Sequence, residues 1–183
     1  MRKLGVLMVL IFLAPCVMAQ TTSGTLGGNI PFVYSWSTTW NPSSSTMLSS
    51  VNATHYNQGY VDLTNVILSS TIVTNDSCQI AVKMGSWTVP TGYPLSGDKV
   101  DLTPDSDLQF KITGIDGSDD LNVVGTFAAF TYLTTSDQVC LRAKDGNGVS
   151  SSTYGADARV DLAWGVDVTG TYSVLITLTI SQL

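Results

Sequence analysis

The chain contains no glutamate: all fourteen acidic residues are aspartate, balanced by only eight lysines and arginines. Glutamate is a good helix former, whereas aspartate prefers turns and caps. With no long stretch of apolar residues at helical spacing, its absence weighs against a helical fold. Histidine occurs once, as His55, and there is no Cys-x-x-Cys, no Gly-x-Ser-x-Gly elbow and no phosphate-binding loop. Enzymes of the hydrolase type need paired acid and base groups or an activated nucleophile, and those partners are scarce here. His55 lies in a polar stretch and reads as a solvated side chain. Asp116-Gly-Ser-Asp-Asp120 and Asp145-Gly-Asn147 offer oxygen ligands, but a calcium-binding EF-hand loop needs a distal glutamate. Turn and solubility roles fit them better. No enzymatic activity, cofactor or metal is expected.

Charge is sparse as well, at 12% of residues against 44% hydrophobic, so the chain has enough apolar material for a core. The formal net charge is −6, and loss of Arg2 and Lys3 with a leader would take it to −8. Such a surface repels phosphate backbones, which makes nucleic acid an unexpected partner. The apolar run Leu4–Leu13 is shorter than the roughly 20 residues a bilayer-spanning helix needs. Preceded by Arg2 and Lys3 and followed by Val17-Met18-Ala19, it reads as a secretory leader over residues 1–19. Leu13-Ala14-Pro15-Cys16 approximates a lipobox, with proline where a small residue is required. The expectation is a secreted, extracellular or cell-surface protein with no stable membrane anchor.

Only Cys78 and Cys140 follow that leader. An even pair in an exported protein reads as one disulfide, with two buried free thiols as the alternative. Closing a loop of about 60 residues would stabilise by about 4 kcal/mol through chain entropy.

What the sequence does hold is alternation. In the last fourteen residues, Tyr172, Val174, Ile176, Leu178 and Ile180 fall on one face of an extended strand. Ser173, Leu175, Thr177, Thr179 and Ser181 fall on the other, a period of two that no helix accommodates. Near the other end, Ile30, Phe32, Tyr34 and Trp36 alternate in the same way, with Pro31 favouring an edge or a strand start. Further strands are predicted over 60–68 and 71–74 (or one strand with a bulge), 78–89, 108–112, 123–133, 137–143 and 160–164. The long polar connection after Trp36 reads either as carrying a short helix near 46–51 or as a functional loop. Asp145-Gly146-Asn147-Gly148 carries two hairpin signals, and Trp87 reads with the cysteines as a core feature. About eight to ten strands at this spacing predict an all-β, single-domain, two-sheet sandwich, immunoglobulin-like or jelly-roll-like, over residues 37–183.

Trp40 and Tyr93 lie in loops and are candidate stacking residues for a surface glycan. Asn52-Ala-Thr54 and Asn75-Asp-Ser77 are glycosylation acceptor patterns.

The C-terminal pattern, with Gly170 fourteenth from the end and apolar residues alternating from Tyr172, resembles the terminal strand of chaperone–usher pilus subunits and of the spore coat protein U family. Gln182 departs from it at the penultimate position, where those families place an aromatic. The resemblance covers fourteen residues. It implies an incomplete sandwich completed by the N-terminal strand of the next subunit, held through main-chain hydrogen bonds and alternate side-chain pockets. The donor segment would be residues 20–36, with Ile30, Phe32, Tyr34 and Trp36 as plugs, unless that segment pairs within its own domain. The expected function is a structural subunit of an extracellular filament, coat or surface layer whose partners are copies of itself or related subunits. A monomeric adhesion or carbohydrate-binding module is the alternative.

Overall fold

The computed structural model describes residues 29–40, 51–90, 107–116, 120–164, 167 and 170–183, with backbone only at 64–66. The leader, Tyr93 and residues 46–50, where a short helix is one of the two readings, lie outside these residues. The chain divides into two compact units, Met1–Ile30 and Pro31–Leu183.

The second unit is an all-β sandwich of two antiparallel sheets. Its strands are β1 (Tyr34–Trp40), β2 (Tyr60–Thr74), β3 (Cys78–Met84), β4 (Leu108–Thr113), β5 (Leu121–Val123), β6 (Thr131–Tyr132), β7 (Gln138–Ala143), β8 (Ser152–Asp161) and β9 (Ile176–Gln182). One sheet has the order β1-β2-β8-β4-β6 and the other β5-β7-β3-β9. The expected alternation holds best in β3 and β4, where every second residue is buried. Between the sheets, Leu68, Ile72, Ile80, Val82, Phe110 and Leu141 are fully buried.

Residues 60–74 form one strand with a bulge against β8 between Leu63 and Leu68, one of the two arrangements expected there. Several other boundaries differ from expectation. The first strand starts at Tyr34 rather than Ile30. The span 123–133 divides into the short β5 and β6 around a turn. Helix α1 (Ala53–Gln58), not expected from the sequence, is capped by Asn52: its Oδ1 accepts from Thr54 N and His55 N at 2.9 and 3.4 Å. His55 closes the capping box, with Nδ1 accepting from Asn52 N. The Asp145–Gly148 stretch has two consecutive positive-φ residues, as its turn signals demand. It nevertheless joins β7 to β8 across the two sheets, so it is an arch and not a hairpin. Gly148 is obligatory there, since a Cβ would lie 2.5 Å from Thr74 O.

The expected disulfide is absent: Cys78 and Cys140 are free and fully buried. Register gives the reason. Gln79 faces Arg142 and Ile80 faces Leu141, which puts Ala143, three residues from Cys140, opposite Cys78. At about 3.3 Å per residue the two sit about 10 Å apart, beyond the roughly 7 Å a disulfide tolerates. Cys140 occupies the β3–β7 bulge, where its thiol donates to Ile80 O at 3.3 Å. Burial pushes the Cys140 thiol and the Tyr154 phenol up to about 12, and raises Cys78 too.

These groups set a pH dependence. In the unfolded chain the thiol and phenol ionise near 9 and 10, while the folded forms keep their protons to about 12. The native state therefore binds more protons in that window, and stability falls as pH rises through it, by up to about 1.4 kcal/mol per pH unit for each group. Urea midpoints taken from neutral pH to about 11, with and without reductant, should show this alkaline loss and no reductant effect at neutral pH. A reductant-sensitive midpoint would restore the disulfide.

Candidate functional site

The two lateral sides of the sandwich are built differently. On one side the sheets end in β5 and β6, of three and two residues. On the other they end in β1 and β9, of seven residues each. Both long edges lie on the same side because the turn from β2 to β3 holds an end of each. Asn75 N donates to Val33 O at 3.1 Å, just before β1, and Leu183 N, just after β9, donates to Ser77 O at 3.0 Å. Short strands are one ordinary way of blunting a sheet edge; charges and prolines are another. Tyr-Ser-Trp-Ser-Thr-Thr-Trp and Ile-Thr-Leu-Thr-Ile-Ser-Gln use none of these devices.

Among the described residues β9 is paired on one side only, with β3. Leading into it, Ser173 and Thr88 exchange two main-chain bonds of 2.7 and 3.0 Å, and Gly85 N donates to Leu175 O at 2.8 Å. Odd-numbered residues thus turn their polar groups toward β3. By alternation, Ile176, Leu178 and Ile180 turn theirs to the free edge while their side chains point inward. Those side chains, with Val174, pack on the core but stay half-buried, whereas Ile80, Val82 and Met84 beside them on β3 are buried. Tyr172 precedes the strand and is also half-buried. Gly170 earns its place by close approach, since a Cβ there would collide with the Pro90 ring.

Over residues 34–36 the candidate donor segment takes the alternative expected for it, pairing within its own domain. Tyr34–Trp40 pairs along its whole length with β2 of the same chain. Trp36 Nε1 donates to Ser70 Oγ at 2.6 Å and to Tyr154 OH at 3.2 Å, and the Thr38 hydroxyl meets Ser70 Oγ at 2.9 Å. Of the four expected plugs, Phe32 and Trp36 pack against their own core, while Tyr34 is exposed and Ile30 is 83% exposed. Just upstream, the Asn75 side chain accepts from Val33 N at 2.7 Å and donates to Pro31 O at 2.9 Å. The amide nitrogen a glycan would modify at Asn75 is thus engaged, with Ser77 of the same triplet buried. Asn52 is occupied as the helix cap. No protein-family model matches this chain, and no curated protein matches it.

Trp40 ends β1 and is 39% exposed; Tyr93 lies outside the described residues. Two aromatic groups escaped the sequence reading. Arg159 lies between the Tyr60 and Phe130 rings, 3.8 and 4.2 Å from their centroids, and binds Asp62 through two bonds of 2.6 and 3.2 Å. Only the pairing of Asp62 with Arg159 across β2 and β8 reveals that cluster. Trp164, expected in a strand, is 61% exposed, with its ring on Tyr56 and its N–H on Asn57 at 3.1 Å. Among the described residues no group of three or more His, Cys, Asp or Glu could hold a metal. Asp120 instead accepts from the Ser150 hydroxyl and amide, which hold its carboxyl below the usual range.

Ser70→Ala should leave Trp36 and Thr38 short of a partner and cost about 1–3 kcal/mol. Hydrogen exchange should then rise in β1 before β3; equal protection of the two strands would mean that the network does not hold the edge.

Proposed function

We propose that this chain is a secreted, non-enzymatic structural subunit that joins copies of itself or related subunits by adding a strand along the β1/β9 side. The observation that carries this reading is the contrast between that side, with two long, uncharged, proline-free edges, and the short strands opposite. The half-buried row Val174, Ile176, Leu178 and Ile180 adds to it. A strand laid against β9 would satisfy its outward main-chain groups and cover that row, the physics of strand addition. Because Tyr34–Trp40 is committed to its own sheet, the donor must come from before it. We assign the donor to residues 20–30, upstream of the Asn75 clamp. The leader read at residues 1–19 supports export, and no described helix is long and apolar enough to cross a membrane.

Size-exclusion light scattering and negative-stain microscopy of the chain starting at Gln20 should show ladders or filaments, lost when residues 20–30 are removed. Leu178→Lys, an inward charge on the β9 edge, should also abolish them. The same change at Val123 on β5 should leave assembly intact. A monomer at every concentration, with β9 protected from exchange, would overturn the reading.

A further inference from the structure

Trp87 carries a donor that no described residue satisfies. Among the described residues its buried Nε1 has no hydrogen-bond partner, an uncommon state for a polar group in a folded protein. Trp36 and Trp164 by contrast both donate from the same atom. The position matters. Trp87 stands just beyond β3, in the stretch where Gly85 and Thr88 bond to Leu175 and Ser173 ahead of β9. It packs against the core with Val174 and Ile176, in the half-buried layer beside the free edge. At the other end of β9, Ser77, whose carbonyl binds Leu183, has a buried hydroxyl that is likewise unpartnered. Among the described residues, two unsatisfied polar groups therefore flank the stretch of β3 along which β9 is laid.

We infer that Trp87 sets the register of the added strand: the segment from a second copy of this chain supplies an oxygen acceptor to Trp87 Nε1, and a partner to Ser77 Oγ at the opposite end. This inference rests on the strand-addition reading. Lengths agree with it. From Ser77 to Trp87 the edge runs ten residue steps, about 33 Å when extended, and the eleven residues 20–30 reach about 36 Å. That segment, Gln-Thr-Thr-Ser-Gly-Thr-Leu-Gly-Gly-Asn-Ile, carries side-chain oxygens at six positions besides its carbonyls. Apolar contacts alone would let a strand slip by two residues and keep the same face inward. A fixed donor at one end removes that freedom, because slipped pairings leave the indole unsatisfied.

The test uses the chain starting at Gln20, labelled with indole-15N tryptophan and kept dilute, with a synthetic peptide of residues 20–30 in excess. The Trp87 indole resonance, assigned by Trp87→Phe, should move downfield and exchange more slowly with solvent on peptide addition. Trp87→Phe should bind the peptide about tenfold more weakly, with the thermal midpoint of the free chain unchanged or raised. Binding that leaves the Trp87 resonance unmoved would overturn this inference and leave strand addition standing. No binding by the unsubstituted chain would overturn both. Should Trp87→Phe fail to fold, the resonance is assigned by elimination through Trp36→Phe, Trp40→Phe and Trp164→Phe, and its response in the unsubstituted chain still decides.

Discussion

The turn between β2 and β3 is the constraint on which the rest of the sandwich depends. Thr74 N donates to Val149 O, and Thr74 Oγ1 accepts from Val149 N, which ties the β7–β8 arch to the turn. Asn75 grips the approach to β1 through its main chain and its amide. Asp76 accepts from the Gln182 side chain at 2.6 Å, and Ser77 O accepts from Leu183 N. Four residues thus bind three other parts of the chain, and each contact spans tens of residues in sequence. Because β2 passes directly into β3 in the facing sheet, the neighbours held beside them, β1 and β9, become the two edges of one side. Gly148 belongs to the same arrangement, since no side chain fits where the arch meets the turn.

The two edges are not equivalent. β1 is secured by polar groups inside the sandwich, and burying Ser70 and Tyr154 is tolerable because each finds partners. β9 has no comparable network on its inner face, only apolar side chains that remain partly in contact with water. Covering apolar area is worth about 25 cal/mol per Å², so a few half-exposed branched side chains amount to a few kcal/mol of unused driving force. That force lacks direction. Main-chain groups at the edge supply direction, and polar atoms at its ends supply register.

The sequence made the alternating strands legible, and least so where burial replaced alternation. β3, β4, β7 and β9 show through their own residues. β8 was hidden over Ser152–Arg159: Gly155, Ala156 and Ala158 are small, and this central strand is buried on several successive positions. Its neighbours on both sides make large residues unnecessary, so the β-branched signal is missing. The cysteine pair misled for a different reason. Count and compartment predict a bond, but only register shows the two thiols three residues out of step. The alternation places Trp36 on the inward face of its strand, but its hydrogen bonds to Ser70 and Tyr154 depend on strands far apart in sequence. The Arg159 cluster and the exposed Trp164 were equally invisible, because each partner lies on a different element.

Where the chain places its few charges bears on what the long edges are for. Lys83 on β3 pairs with Asp137, just before β7, at 3.0 Å, and Arg159 on β8 pairs with Asp62 on β2, all away from the long edges. The exposed Lys83–Asp137 pair stabilises little, whereas the part-buried Arg159–Asp62 pair is held by two bonds. A charge on β1 or β9 would have been the simplest guard against unwanted pairing, and neither strand carries one. An edge left unguarded in this way must either meet a defined strand or pair indiscriminately. The Thr and Ser residues on the outer face of β9 favour extended structure without making that face sticky. Selectivity then falls to the inner side of the edge, where the apolar row accepts many strands but the buried polar atoms accept few.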